Sequence, residues 1–281
     1  MVYGLSTHLV LPQRLTPALL NTLASAGVGH LEVFAARHHF DYTDFYAVRE
    51  MASWFRSNDV TASLHMPVFS PEDSVEWSRH TAPTLNLIST NKQQRILAMD
   101  ETKRALEAAE QVPFTAAVIH LGLGDDEWGT RAIDDSLTAL EHLQAFAGPL
   151  DLQLLLQNLN NAVATPEHLV EIVNIGHFDK TGFCLDLGHA HLQAPDEHGR
   201  SGIARAFAAF GERPRLMHLH DNKGMRDEHL WPGEGSIDWA EVASSSKNMD
   251  VPRVLELAQE FGFDAAAAAA KARAVIERLS E

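Results

Sequence analysis

The segment HLHDNKGMRDEHLWPGEGSIDW, residues 218–239, is crowded with side chains that bind metals. Its first twelve positions contain three histidines and three acidic residues. Imidazole and carboxylate together are the ligands that proteins use for zinc, manganese and iron, whereas calcium and magnesium prefer oxygen alone. The segment therefore predicts a site for a divalent ion of zinc, manganese or iron.

Similar side chains stand at or just after the ends of short apolar runs elsewhere. SLH ends at His65, AAVIH ends at His120, and VLE ends at Glu256. A lone histidine at such a position is more often a hydrogen-bonded structural residue, but burying the whole set without a cation would carry a large desolvation cost. The candidate ligands are His65, His120, Gln157, Asp186, His189, His218, Asp227, His229 and Glu256.

Apolar runs that alternate with helical patterns indicate which fold positions these residues. The eight candidate strands are residues 2–6, 30–34, 62–65, 116–120, 152–157, 182–186, 216–220 and 254–257. Helical spacing or caps predict helices over 16–26, 41–58, 92–111, 134–147, 166–174, 201–211 and 238–246, and a last one after Asp264. Eight such units predict an α/β fold, a (β/α)8 barrel in one domain over residues 1–281. Its strands' carboxyl ends would gather the candidate ligands at one mouth.

Composition restricts the partners. The 281 residues carry a net charge of −16, from 22 basic and 38 acidic residues. This balance disfavours nucleic acid and anionic membranes, which are bound through basic residues. The only cysteine, Cys184, excludes an internal disulfide and is expected to be buried and inert. We read no signal peptide or membrane span, and so expect a cytoplasmic enzyme with a small-molecule partner; a homo-oligomer is one option.

The opening segment and FCLDLGHAHL resemble the signature motifs of the xylose isomerase-like TIM-barrel superfamily. VIHLG and VLE resemble the ends of its fourth and eighth strands. The superfamily includes sugar isomerases and epimerases, inosose dehydratases and endonuclease IV. The resemblance implies an endonuclease IV-like trinuclear set made of all the candidate ligands above, with a glutamate at position 157. The simpler isomerase and epimerase set would use that glutamate with Asp186, His218 and Glu256.

Gln157 departs from both patterns, which expect glutamate there. A neutral amide offers a metal only its carbonyl oxygen and cannot act as a general base. With three carboxylates left in the set, we predict one or two tightly held divalent ions and a weaker third. A two-base epimerisation is in doubt for the same reason. The amide is open to three explanations: a natural subgroup, a chain that has lost activity, or a deliberately inactivated variant.

Two classes of enzyme remain open, with a binding protein as a third option. The first is a metal-dependent isomerase, epimerase or dehydratase for a small sugar, polyol or sugar phosphate, with Glu256, Gln157 and His218 as its catalytic candidates. Metal ions would stabilise enediolate-like charge as a proton leaves carbon. The second is a phosphoester hydrolase in the manner of endonuclease IV. The third is a barrel that has lost turnover through Gln157.

A further group of residues is expected to contact the substrate. The candidate substrate-binding residues are His220, Asp221, Lys223, Phe69, Trp231 and His8, and His220 is also a candidate for orienting a metal ligand. Each has an equally ordinary structural interpretation, as do Trp128, a further candidate for an apolar wall, and Glu32, which either reaches the pocket or caps an element. The polar stretch 69–91 is long for a loop, and we expect it to cover the barrel mouth.

Overall fold

A closed parallel barrel is the centre of the computed structural model, which describes residues 2–78, 80–258 and 263–280. Its eight strands are hydrogen-bonded in chain order, and the eighth pairs with the first. This confirms the predicted (β/α)8 fold. The strands are β1 Tyr3–Ser6, β2 His30–Phe34, β3 Thr61–His65, β4 Phe114–Ile119, β5 Gln153–Gln157, β6 Gly182–Asp186, β7 Pro214–Leu219 and β8 Arg253–Leu255.

Helices follow the strands around the outside of the barrel. Short 3₁₀ turns at Thr7–Val10, Ala108–Glu110 and Gly148–Leu150 complete the described elements. Within the described ranges, no helix is long and apolar enough to cross a membrane. The helices are α1 Pro17–Ala24, α2 Phe45–Ser57, α3 Pro71–Val75, α4 Lys92–Glu107, α5 Thr130–Ala147, α6 Pro166–Ile175, α7 Leu187–Leu192, α8 Gly202–Phe210, α9 Trp239–Ser245 and α10 Ala265–Ser280.

Two helices begin at other residues than predicted, one of them at a side-chain cap. The helix predicted over 41–58 begins only at Phe45, because Asp44 accepts hydrogen bonds from the next backbone N–H groups. The helix predicted from residue 134 begins at Thr130 instead. Two short helices, α3 and α7, were not predicted, because each spans fewer than two full turns and shows too little periodicity.

The barrel interior explains why candidate ligands converge. One layer is apolar, made of Ala116, Val118, Leu155, Cys184, Leu216 and Val254. Side chains alternate along a strand, so the position two residues later faces the same interior. On β4 to β8 those positions are held by His120, Gln157, Asp186, His218 and Glu256. On the side of β4 to β8 the polar cluster therefore rests on an apolar floor, whereas on β2 and β3 the buried His30 and Ser63 continue the polar contacts. Burial raises the pKa of the Cys184 thiol to about 12, so this cysteine is inert as expected.

A buried ion cluster fastens the loop after β2 to α4. Glu101 is fully buried, and its carboxylate accepts hydrogen bonds from Arg37 at 2.6 and 3.0 Å and from Tyr42 Oη at 2.8 Å. Arg104 adds a contact of 2.6 Å. A carboxylate withdrawn from water depends on such partners, because its desolvation would otherwise be uncompensated.

Glu101→Gln should lower the stability of the fold by about 3 kcal/mol, because it leaves a guanidinium without its buried partner. Urea unfolding followed by circular dichroism, with a chelator present, measures the change. The matched control is Glu110→Gln, at an exposed position, which should leave the urea midpoint unchanged. Equal midpoints for the two variants would contradict this role for Glu101.

Candidate metal site

His218, on β7, and His220, directly after it, point into the barrel and are fully buried. His218 Nε2 lies 3.1 Å from a carboxylate oxygen of Glu32, and its Nδ1 lies 3.2 Å from Glu256 Oε2. His220 Nε2 lies 3.0 Å from Asp186 Oδ1. Three carboxylates from β2, β6 and β8 thus meet two imidazoles inside one closed sheet.

A second row of contacts crosses the neighbouring strand ends. His65 Nε2 lies 3.0 Å from His120 Nε2, which in turn lies 2.9 Å from Gln157 Oε1. The amide nitrogen of Gln157 donates to Asp186 Oδ2 at 2.9 Å. His120 Nε2 therefore contacts both the ring nitrogen of His65 and the amide oxygen of Gln157, which are atoms of the kinds that bind a cation.

A third group forms where α7 faces the loop after β7. The Nε2 atoms of His189 and His229 lie 2.9 and 3.1 Å from the same oxygen of Asp227. Their Nδ1 atoms face backbone carbonyls, of Asn158 at 3.0 Å and of Glu256 at 2.9 Å. In a neutral ring, a donor bond from Nδ1 to a carbonyl fixes the tautomer and makes Nε2, here directed at Asp227, the atom that can bind a metal.

The D-x-G-H motif at the end of β6 builds this corner locally. Asp186 caps α7 by accepting from the backbone N–H of His189 at 2.7 Å, which brings the histidine back over the strand end. Gly188 lies against His220, and an added Cβ would come within 1.9 Å of that ring. Only glycine leaves space for the imidazole at this position.

Three sets of side chains have ligand atoms within 4.8 Å of one another in the described part of the chain. They share members, so they form one continuous cluster. This donor set fits a divalent ion such as zinc, because it mixes imidazole nitrogen with carboxylate oxygen; its members are buried except for the exposed Asp227 and the half-buried His229. The sets are His189 with His220, Asp227 and His229; Glu32 with His218 and Glu256; and Asp186 with His220 and Glu256.

Charges within the cluster shift the pKa values of its side chains. Burial opposes the charged form of His189, but Asp186 and Asp227 raise its pKa to about 9. Burial opposes charge on His229 as well, and Asp227 raises its pKa to about 10. The histidines lower the pKa of Asp227 against the effect of burial. On the opposite edge, burial and the adjacent His65 lower the pKa of His120 to about 3, which keeps that ring neutral.

The structure brings the nine sequence-predicted ligands into one connected network of contacts. Their identity as ligands stays a prediction, because the contacts are those of the protein alone. Two residues gain importance from the geometry. His220, predicted as a substrate or orienting residue, belongs to two of the three sets, and Glu32 belongs to one. Alternation along HLEVF and LMHLH would have placed both on the inner face.

Among the predicted substrate-binding residues, His8 borders the cluster and Phe69 is separated from it by Phe34. His8 lies with its ring 5.1 Å from that of His229 and 5.3 Å from that of Phe34. Phe34 stacks on His65 at 4.4 Å, and Phe69 is buried 6.4 Å from Phe34. The stretch 69–91 therefore begins with a buried side chain next to Phe34, and its role as a cover of the barrel mouth stays a prediction. Phe34 itself was missed, because its apolar side chain carries no sign of chemistry in the sequence.

Other predicted contact residues have structural partners. Asp221 is fully buried, and its carboxylate accepts from the backbone of Asn222, Gly233 and Ile237 and from Trp239 Nε1, so it braces the loop after β7. Lys223 is exposed on that loop. The remaining two are aromatic: Trp231 is buried beneath the ammonium of Lys271, and Trp128 stacks on His168 at 3.8 Å.

Comparison with known proteins agrees with this geometry. A family model described as a xylose isomerase-like TIM barrel matches residues 20–279. The uncharacterized protein MJ1311 of Methanocaldococcus jannaschii is 25% identical over 266 residues, 92% of this chain and 83% of that protein. Probable endonuclease 4 of Natronomonas pharaonis is 27% identical over 203 residues, 66% of this chain and 71% of its own length.

Solved structures give the same fold. A D-tagatose 3-epimerase-like protein superposes with a TM-score of 0.78 at 23% identity, covering 100% of this chain and 97% of its own. The IOLI protein, in a structure with a zinc atom, gives 0.75 at 17% identity, covering 100% and 96%. The resemblance that the motifs predict is thereby confirmed.

Cation binding should release protons, because His189 and His229 hold them at pH 7 and a ligand imidazole must be neutral. Both pKa values are raised, so the protons leave only as the pH rises toward about 9 and about 10. Affinity for cobalt or zinc should therefore increase with pH from 6 to 8. Titration calorimetry at pH 7 in buffers of different ionisation enthalpy should report the release of about two protons per chain from these rings, and more if His218, whose pKa is also raised, binds a cation. Heats that do not depend on the buffer would contradict the assignment of these rings.

Proposed function

Because the chain belongs to the xylose isomerase-like TIM barrel family, we propose that it is a metal-dependent isomerase, epimerase or dehydratase. Its substrate would be a small sugar, polyol or sugar phosphate. One observation carries the proposal: a continuous and largely buried cluster of histidines and carboxylates toward the carboxyl ends of the strands. That end of a (β/α)8 barrel is where active sites form. The likeness to a D-tagatose 3-epimerase-like protein supports the choice of substrate class.

The bound cation would act as a Lewis acid toward a carbonyl and a neighbouring hydroxyl of the substrate. Glu256 is the candidate base, a buried carboxylate at the end of β8 beside His218 and His65. Neighbouring imidazoles hold the pKa of Glu256 well below its usual range against the effect of burial, so it is ionised and able to accept a proton from carbon.

The residue at position 157 determines whether the site has one general base or two. Inverting a carbon centre requires a proton to leave one face and return to the other, which usually takes two bases on opposite sides. The amide cannot accept a proton, and it is held between His120 and Asp186. The proposal therefore favours one-base chemistry, in which Glu256 moves a proton between adjacent carbons on one face.

The second candidate is a metal-dependent phosphoester hydrolase. The nine-residue network and the similarity to probable endonuclease 4 favour it. The net charge of −16 disfavours DNA as a substrate, so a small phosphoester suits the site better. The third candidate, a binding protein without turnover, rests on Gln157 alone. For each of these candidates we propose a cytoplasmic location, which agrees with the single buried Cys184.

Exchange of a carbon-bound proton tests the first candidate. With the cation supplied, incubation in deuterium oxide with a panel of aldoses, ketoses and their phosphates should label one substrate, as read by proton NMR. Glu256→Gln should slow the exchange about 10³-fold, because the base is lost. Glu228→Gln is the matched control: it makes the same change in the loop after β7, where Glu228 only accepts from the Lys223 backbone and lies 3.6 Å from Arg226.

Cleavage of a small phosphoester without any carbon exchange would favour the hydrolase instead. Exchange that survives in the Glu256 variant at the rate of the unmodified chain would remove Glu256 from the mechanism. Metal binding with neither reaction would favour the binding protein.

A further inference from the structure

Glu32, near the middle of β2, is a fully buried carboxylate that the metal-ligand motifs do not include. Its Oε2 lies 3.1 Å from His218 Nε2 and accepts from Ser63 Oγ at 3.3 Å. Its Oε1 is buried and lies 3.1 Å from the same ring nitrogen, without hydrogen-bond geometry among the described residues. Both oxygens of this carboxylate therefore share one imidazole, which compensates a buried charge only in part.

Glu256 places a second carboxylate on the same histidine. Glu256 Oε2 lies 3.2 Å from His218 Nδ1, a buried ring atom that also lacks a partner with hydrogen-bond geometry in the described ranges. The ligand atoms of Glu32, His218 and Glu256 all lie within 4.8 Å of one another. One imidazole between two buried carboxylates leaves negative charge uncompensated, and a divalent cation at that point removes the imbalance.

Charge balance across the whole cluster gives the number of ions. Gln157 contributes no charge, and its amide is engaged by His120 and Asp186. With Glu32 included, the carboxylates of the cluster are Glu32, Asp186, Asp227 and Glu256. Four negative charges match two divalent cations held with neutral imidazoles. The three carboxylates counted from sequence alone match no whole number of divalent ions.

We propose that Glu32 is a metal ligand that supplies the carboxylate missing at position 157, and that the site is a two-ion centre. One ion lies among Glu32, His218 and Glu256. The other lies among His189, His220, Asp227 and His229, and Asp186 stands between the two sets. The inference rests on the proposed function only in requiring that the chain binds divalent cations.

The test is the number and affinity of ions in the intact chain after removal of all metal by a chelator. Manganese or cobalt is then titrated by calorimetry, and the bound metal is counted by plasma mass spectrometry after gel filtration. The unmodified chain should bind two ions. Glu32→Gln should lose the ion that lies among Glu32, His218 and Glu256, or lower its affinity by more than about 100-fold. Loss of a residue that only supports a ligand costs at most about 100-fold in affinity.

Charge rescue and a matched control separate ligation from packing. Adding Gln157→Glu to the Glu32→Gln chain should restore the second ion, because a carboxylate returns to the same cluster. Ser63→Ala removes the hydrogen bond to Glu32 but keeps its charge, and should retain both ions. Two ions of unchanged affinity in Glu32→Gln would overturn the proposal. An equal loss of bound ions in Ser63→Ala would also overturn it, because Glu32 would then act through packing and not through its charge.

Electron paramagnetic resonance of the manganese-loaded unmodified chain tests the same point without any variant, should Glu32→Gln fail to fold. A spin-coupled spectrum is expected at saturation, and a spectrum of one isolated ion would overturn the two-ion centre. A chain that binds no cation would contradict both this inference and the proposed function. Two ions with the Glu32 dependence, but no exchange on any sugar, would contradict the proposed function alone.

Discussion

The burial of several carboxylates in one small volume is the constraint on which the rest of this molecule depends. Glu32, Asp186 and Glu256 are nearly or fully withdrawn from water and meet around His218 and His220. Without compensation, such charges repel one another and favour unfolding or protonation. Imidazoles provide part of the compensation in the protein alone, and cations of the kind the cluster fits would provide the remainder.

The barrel supplies the rigidity that this cluster requires. A closed parallel sheet fixes the inward positions of eight strands relative to one another, and an apolar layer excludes water from below. Partners outside the cluster orient its rings: the carbonyl of Asn158 faces His189, and the carbonyl of Glu256 faces His229. Asp221 holds the loop that carries Asp227 and His229. These candidate ligand atoms are thus positioned by the fold itself.

The fold and much of the site were predictable from sequence, because both follow from local patterns. Alternating strands and helices predicted the barrel, and polar residues after apolar runs predicted the network that includes His120, Asp186 and His218. Glu32 could not be ranked, since its contact with His218 joins residues 186 positions apart in the chain. The orientation of the Gln157 amide likewise depends on neighbours from two other strands. Short helices such as α7 depend on a single cap and not on periodicity.

The central claim is that this cluster exists to hold divalent cations. The most direct measurement is anomalous X-ray diffraction from crystals grown with manganese or zinc, with data collected on both sides of the metal absorption edge. Two strong anomalous peaks are expected inside the barrel mouth, one among Glu32, His218 and Glu256 and one beside Asp227. Crystals that show no peak there, while surface histidines of the same chain bind the metal, would contradict it.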